Sequence, residues 1–369
     1  MKALLITHRG IEDISEKEIM EIIKTKTQIK KSAVVFDIKK TEDACLVCYK
    51  SQSAIRVLLL VSEFTVHRNF EKTIDDLKKH LHDADLSPWV KKTVKIACKR
   101  TGSHDFSSVD VAAEITRILA KKHEIKTDFR NPGITFFAYI FEDQGFFGID
   151  LSGIDMSRRD YNIFPHQNTL KGTISYALLR IADYKKEDAL LDPFARSGNI
   201  PIEAAFFAKK ISPNNYRKNE LAFSKFAGLE EEMNEKENSR ETRIFAVDSQ
   251  MNSIRAAEKN AKIAGVKKDV QFSRMDIDWL DTKFKKGQID KIVTLLPSIT
   301  RRIDEGKITK IYNEFLYQGD YILNSKGMIV AVTRSPEKLI ETAAKYGFHA
   351  KQRSVWSGQE ELPIVALQK

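Results

Sequence analysis

Three aspartates close successive apolar runs in the second half of this chain: Asp192 ends ALLD, Asp248 ends RIFAVD and Asp276 follows QFSRM. Such runs, alternating with helical segments, read as parallel strands, and ligands in an open α/β sheet sit outside the carboxyl ends of the strands. After Asp192 the stretch DPFARSGNIPIEAA (192–205) is a strand-to-helix turn. Ser197 and Gly198 free its backbone, and a helix starting at Asn199 or Ile200 presents unpaired N–H groups and the positive end of its dipole. That geometry suits a carboxylate or phosphate. A carboxylate at Asp248 can accept the two hydroxyls of a ribose, and one at Asp276 an adenine amino group. Each aspartate alone is a common turn former. Three in this order after a Ser-Gly turn point to an adenosine-type cofactor.

Arg196 stands where such a turn usually has a second glycine. A long cation there is compatible with ligand binding if it points to solvent or to a phosphate, or if its backbone does not need the dihedrals that glycine allows. Competing chemistries lack their signatures: there is no HExxH zinc motif, no GxSxG nucleophile elbow and no GK[ST] phosphate loop. Cys45 and Cys48 form a CxxC inside the helical pattern TEDACLVCYKSQSA, capped by Thr41, where two buried thiols are the expectation rather than a metal site.

The elements that must position these residues follow from periodicity. At 369 residues more than one core is expected. The first ninety residues alternate strand and helix, and a second unit opens with TVKIACKRTG, continues through the helix SSVDVAAEITRILAKKH capped by Ser107 or Ser108, and ends in the hairpin ITFFAYIFEDQGFFGIDLSG. The connector IDMSRRDYNIFPHQNT marks a boundary. Beyond it, strands and helices alternate in the manner of a mostly parallel sheet with helices on both faces, and HAKQRSVW pairs with ELPIVALQK at its edge. The polar segment 211–243 is expected to be a mobile surface excursion.

Charge points to the partner. Lys and Arg exceed Asp and Glu, 61 to 51, for a net charge of +10, and Lys91, Lys92, Lys95, Lys99 and Arg100 follow one another with no acid among them. A polyanion such as nucleic acid is the first candidate. Three cysteines suggest a reducing interior, no run approaches the roughly 18 apolar residues of a membrane span, and MKALLITHRG reads as a first strand rather than a signal peptide. A cytoplasmic monomer or weak dimer is expected.

The order KIACKRTGSHDFSS, helix, TDFRNPGITFFAYIFEDQGFFGIDLSG resembles a THUMP RNA-binding domain, preceded by a segment similar to the ferredoxin-like domain that accompanies it. DPFARSGNIPIEAA is similar to the cofactor loop DPFxGSGTIPIEAA of the THUMP-containing methyltransferases that modify guanosine at N2, and DLSGIDMSRRDY resembles the lead into their catalytic domain. The resemblance implies an α/β chain with a ferredoxin-like domain at 1–65, a THUMP domain at 66–155 and a Rossmann-like methyltransferase domain at 156–369. It implies S-adenosylmethionine as cofactor and structured RNA, tRNA in particular, as substrate. Asp192, Phe194, Ser197, Gly198 and Asn199 would then lie at the methionine moiety, Asp248 and Ser249 at the ribose, and Asp276 with Ile277 at the adenine, while His166 to Thr169 close the site. Lys95, Lys99, Arg100, Arg130, Arg158 and Arg159 would position phosphates, with Arg301 and Arg302 near the base entrance.

One motif departs. Where the family has (Asn or Asp)-(Pro or Leu)-Pro-(Tyr or Phe), this chain has Leu295, Leu296, Pro297 and Ser298. In the family the first side chain and the neighbouring peptide oxygen accept hydrogen bonds from the target amino group, and the aromatic stacks on the flipped base. A leucine accepts none and a serine cannot stack. Two functions therefore stay open: a methyltransferase acting on guanosine N2, and an RNA-binding protein or partner subunit of the same architecture without catalysis.

Overall fold

The computed structural model describes residues 1–90, 92–166, 169–227, 241–298 and 304–369. It divides into two compact units, the first containing residues 1–7, 15–156 and 216–227 and the second residues 8–14, 157–215 and 241–369.

The first unit is built on β1 (Lys2–Ile6), α1 (Glu12–Ile23, whose first residues count with the second unit), β2 (Thr27–Lys30), β3 (Ala33–Asp37), α2 (Thr41–Lys50), β4 (Arg56–Thr65), α3 (Phe70–Asp83), α4 (Ser87–Val90), β5 (Val94–Thr101), α5 (Ser108–Lys122), β6 (Ile134–Phe141) and β7 (Gln144–Asp150). Its strands form one sheet in the order β2-β3-β1-β4-β7-β6-β5, continuous from the strands before residue 65 to those after it through the β4–β7 pairing. Only β5 and β6 run parallel, as the crossover through α5 requires. Ser107 caps α5 and accepts the Asp110 N–H, while Asp110 returns a bond to the Ser107 N–H. Thr41 is the first residue of α2 rather than its cap, because the Asp43 carboxylate takes the N–H groups of Lys39 and Lys40. Cys45 and Cys48 are buried thiols that form no disulfide, and burial pushes Cys45 up to about 12.

Residues 216–227 are not a surface excursion. Leu221 and Phe223 are fully buried in the first core, and the Ala222 and Phe223 N–H groups bond the carbonyls of Ser152 and Leu151. Residues 228–240 of the same segment lie outside the described residues.

The second unit holds α6 (Gly172–Ile181), β8 (Ala189–Asp192), α7 (Asn199–Lys209), β9 (Arg243–Asp248), α8 (Met251–Ile263), β10 (Gln271–Arg274), α9 (Leu280–Lys283), β11 (Ile289–Leu295), α10 (Glu305–Ile322), β12 (Leu323–Val332), α11 (Pro336–Ala344), β13 (His349–Ser357) and β14 (Glu360–Gln368). The sheet order is β10-β9-β8-β11-β12-β14-β13, parallel from β10 to β12 and antiparallel through β14 and β13. Strand alternation splits the core into two: Leu190 packs with α6 and α7 on one face, Ala189 and Leu191 with α10 and α11 on the other. Strand order reverses between β8 and β11, so their carboxyl ends open a crevice.

A buried ion pair holds the entry to this unit. Arg159 Nε and Nη2 donate to Glu203 Oε1 and Oε2 at 2.7 and 3.1 Å, and the Tyr161 hydroxyl donates to Oε1 at 2.9 Å. Gly172 is needed beside it, since a Cβ there would lie 2.4 Å from Glu203 Oε1 and 2.5 Å from Arg159 Nε. Arg159 is thus no phosphate contact: its side chain is 1% exposed and committed to Glu203. Removing one partner leaves a buried charge uncompensated. Glu203→Ala should lower unfolding free energy by about 3–5 kcal/mol in urea titrations; a loss below about 1 kcal/mol would show that the pair does not hold the entry segment.

Candidate functional site

The β8–α7 turn is strained and tightly held. Arg196 has φ 48° and Gly198 φ 85°, both left-handed. A non-glycine residue is disfavoured there by roughly 1–2 kcal/mol, so the position does have the backbone that favours glycine and arginine occupies it regardless. The Ala195 N–H bonds the Val247 carbonyl at 2.9 Å, and the Arg196 N–H donates to Asp248 Oδ2 at 3.0 Å. Asp248 Oδ1 accepts the Gln250 N–H at 2.9 Å, so one carboxylate fastens the turns after β8 and β9.

Ser197, Gly198 and Asn199 lie under the turn rather than in the open cleft. Ser197 Oγ is 2.9 Å from Thr169 Oγ1, Asn199 Nδ2 donates to the Leu170 carbonyl at 2.7 Å, and Asn260 Nδ2 donates to the Ser197 carbonyl at 3.0 Å. A Cβ on Gly198 would stand 2.9 Å from the Ala257 Cβ. Their polar atoms are engaged within the protein, and Ser197 and Asn199 line a small cavity together with Thr169, Phe194, Arg196 and Leu295.

The cleft has a volume of about 440 Å³, within the size range of small-molecule sites, and its lining includes His166, Thr169, Phe194, Arg196, Asp248, Ser249, Asp276 and Ile277 together with Leu295, Leu296, Pro297 and Ser298. Asp248 and Asp276 therefore share it, at the ends of β9 and just past β10. Asp276 also caps the following turn, accepting the Ile277 N–H at 2.7 Å. Asp192 does not share it: 2% exposed, its Oδ1 takes the Thr294 hydroxyl at 2.6 Å and the Phe194 N–H at 3.2 Å. Desolvation outweighs these bonds and pushes its carboxyl up to about 7. Of the three aspartates, two line the ligand space and one braces it from below.

Opposite the turn, the end of β11 offers backbone acceptors. The Leu296 carbonyl takes Arg196 Nη2 at 3.3 Å, and the Pro297 carbonyl takes the Tyr312 hydroxyl at 3.2 Å. Arg196 thus points into the cleft. Burial works against its charge, while Asp192 and Asp248 support it, and its Nη1 is buried without a hydrogen-bond partner. Sequence reasoning did not find Thr294, Gln250, Lys171, Arg334 or Glu360, the last four of which also line the cleft. A lone hydroxyl inside the apolar run IVTLLP was the only sign of Thr294.

The basic residues separate by exposure. Lys99 and Arg130 are exposed, and Lys95 shares the Lys99 face of β5. Arg158 is exposed as well. Arg100 is half-buried and partly engaged within its own unit: Nη1 bonds the Gly102 carbonyl and His104 Nδ1, each at 2.9 Å, and the guanidinium lies over Phe106. Lys91, Gln167, Asn168, Arg301 and Arg302 lie outside the described residues. Among the described residues no helix is long and apolar enough to cross a membrane, and no cluster of three or more His, Cys, Asp or Glu side chains could hold a metal ion.

Comparison with known proteins follows the same division. Residues 71–150 match the THUMP domain and residues 159–360 the family described as RMKL-like, methyltransferase domain. The tRNA (guanine(6)-N2)-methyltransferase of Methanocaldococcus jannaschii is 27% identical over 294 residues, covering 76% of this chain and 77% of that one. Its namesake from Archaeoglobus fulgidus is 26% identical over 348 residues, 92% and 84% of the two chains. Among solved structures, TrmN from Thermus thermophilus shares the fold with a TM-score of 0.74 at 20% identity, over 100% of this chain and 99% of that one.

The raised Asp192 pKa has a signed consequence. Below about pH 4 both folded and unfolded chains hold this proton; between about 4 and 7 only the folded chain does, so the group's contribution to stability falls as pH rises. Asp192→Asn keeps the acceptor for Thr294 and Phe194 and removes the titration. Its stability relative to wild type should climb between pH 4 and 7 by up to about 4 kcal/mol and level off above. Parallel wild-type and variant curves across that range, measured by chemical denaturation, would contradict the assignment.

Proposed function

Since the chain belongs to the RMKL-like methyltransferase family, we propose that it transfers a methyl group from S-adenosylmethionine to the exocyclic N2 of a guanosine in structured RNA, with tRNA as the substrate class. The observation that carries this reading is the crevice at the reversal of strand order, with Asp248 and Asp276 on one side and Leu295 to Ser298 on the other. The matched THUMP domain and the names of the two relatives support RNA and guanosine N2. A reducing cell interior and a monomer or weak dimer belong to the same proposal.

The residues present fit the cofactor. The cleft volume is adequate, a strand-end carboxylate lines it, and Arg196, also in its lining, carries a buried Nη1 without a hydrogen-bond partner. Asp248 commits one lone pair of each oxygen to the Arg196 and Gln250 N–H groups and keeps others for ribose hydroxyls. Asp276 offers an acceptor to an adenine amino group, Ile277 and Phe194 apolar surface, and Ser249 a hydroxyl. When bound, S-adenosylmethionine supplies an electrophilic methyl on a sulfonium. What the chain must do is hold the target amine, with its lone pair aimed at that carbon. Leu295 contributes no acceptor. The second lone pairs of the Leu296 and Pro297 carbonyls are acceptors for the amine, and Lys95 and Arg130, with the exposed Lys99 and Arg158, are the cations for phosphates.

A second reading keeps RNA binding and drops transfer. It is favoured by Leu295 and Ser298, and by the bond from Arg196 to the Leu296 carbonyl. Incubation with unmodified tRNA and labelled cofactor separates the two. The wild-type chain should transfer label, and Leu295→Asn/Ser298→Tyr should do so about 100-fold faster, the scale of one restored orienting group. Label transfer by the double variant alone would establish the binding-protein reading.

RNA affinity should fall steeply with salt, and Lys95→Gln/Arg130→Gln should flatten the log–log slope by about 0.7–0.9 for each phosphate these cations neutralise. A slope unchanged in the variant would remove both residues from the RNA-binding face.

A further inference from the structure

Resting on the cofactor reading above, we infer that Arg196 recognises the carboxylate of the cofactor's amino-acid part, and so acts as a specificity-determining residue of the cleft.

The backbone comes first. At φ 48° the turn has the conformation glycine adopts without strain, and yet an arginine occupies it. An arginine held in this region survives only where its surroundings over-determine it. Here they do, because the Arg196 N–H is fixed on Asp248 Oδ2 and the neighbouring Ala195 N–H on the Val247 carbonyl. The side chain is consequently launched from a rigid base.

It is launched inward. Arg196 lines the cleft, Nη2 reaches the Leu296 carbonyl at 3.3 Å, and Nη1 is buried with no partner among the described residues. A buried donor with no acceptor is destabilising, and the penalty is relieved when a ligand brings one. Neighbouring acids do not fill that role. Asp192 Oδ1 holds Thr294 and Phe194, and both Asp248 oxygens carry backbone N–H groups. The acids keep the guanidinium charged without saturating it.

A charged planar donor with one nitrogen engaged and another orphaned calls for an anionic acceptor, and carboxylate geometry suits it best. The adenosyl cofactor carries one carboxylate, on its amino-acid end, whereas Asp248 and Asp276 are acceptors suited to the hydroxyls and amino group of its nucleoside end. Ser197 and Asn199, the polar residues beside Arg196 in sequence, are already committed to Thr169 and Leu170. An RNA phosphate is the other anion that could reach such a donor. Titration with small ligands alone, without RNA, separates the two sources.

Calorimetry on the full chain tests the assignment with two probes: S-adenosylhomocysteine, and 5′-methylthioadenosine, which keeps the nucleoside and sulfur but lacks the amino-acid part. Arg196→Gly relieves the backbone strain and should melt no lower than wild type, and Arg196→Lys retains a cation should the glycine variant prove unstable. The glycine variant should lose about 10- to 100-fold affinity for S-adenosylhomocysteine and bind 5′-methylthioadenosine within about twofold of wild type, with the lysine variant in between. Unchanged or tighter binding of S-adenosylhomocysteine would mean that Arg196 is idle or a plug, and equal losses for both probes would mean a disturbed nucleoside seat; either overturns the inference. If the wild-type chain binds neither probe, the cofactor reading itself fails. A loss seen only in RNA binding would transfer Arg196 to phosphate recognition and also overturn the assignment.

Discussion

One carboxylate, that of Asp248, sets the geometry of the cleft. It takes a backbone N–H from each of the two turns that frame the ligand space, Arg196 after β8 and Gln250 after β9. Turn conformation and strand-end position are thereby coupled, because neither turn can move without exposing a buried donor. Asn260 secures the arrangement from behind, holding the Ser197 carbonyl and both backbone groups of Phe164. Within the second unit these bonds tie the connector, the turn and α8 into one support. Ligand-facing groups are few; most polar atoms near the crevice serve to hold those few in place.

The departures from the family pattern shift the donor and acceptor balance of the cleft in one direction. Leu295 and Ser298 remove an acceptor side chain and an aromatic face, and Arg196 adds a forked donor that reaches the Leu296 carbonyl. Orientation of any bound amine then falls to backbone carbonyls, whose positions are fixed by the β11–β12 ladder and by Tyr312 on the Pro297 carbonyl. These are rigid acceptors, though fewer than an amide side chain would make them. The site is poorer in acceptors for a neutral amine and richer in donors for an anion.

Much of this was legible in the sequence for a physical reason: strands buried on both faces read as apolar runs, and their ends show as aspartates. Order and type of nearly every strand in the second unit followed from that, as did the placement of Asp248 and Asp276. Burial of polar residues was not legible. MSRRDY gives no sign that Arg159 turns inward while Arg158 stays outside, and the single hint was a glutamate, Glu203, within the apolar helix IPIEAA. Turn chemistry and ligand chemistry use the same residue types, so the packing of Ser197 and Asn199 against Thr169 and Leu170 was not visible in the sequence. β2 was missed since TQIK lacks a strand's apolar alternation and lies at the sheet edge, where its one strand neighbour is β3. Leu221 and Phe223 were missed since the short cluster LAFSKFA, inside an otherwise polar stretch, is too brief to show a period.

The crevice between the ends of β8 and β11 is the seat of an adenosyl ligand in this reading. Difference density from crystals soaked in S-adenosylhomocysteine tests it most directly. The map should show a single ligand with both ribose hydroxyls on Asp248 and the adenine amino group toward Asp276. Density elsewhere on the chain, or a cleft in which the Arg196 guanidinium remains on the Leu296 carbonyl and no ligand enters at saturating concentration, would contradict it.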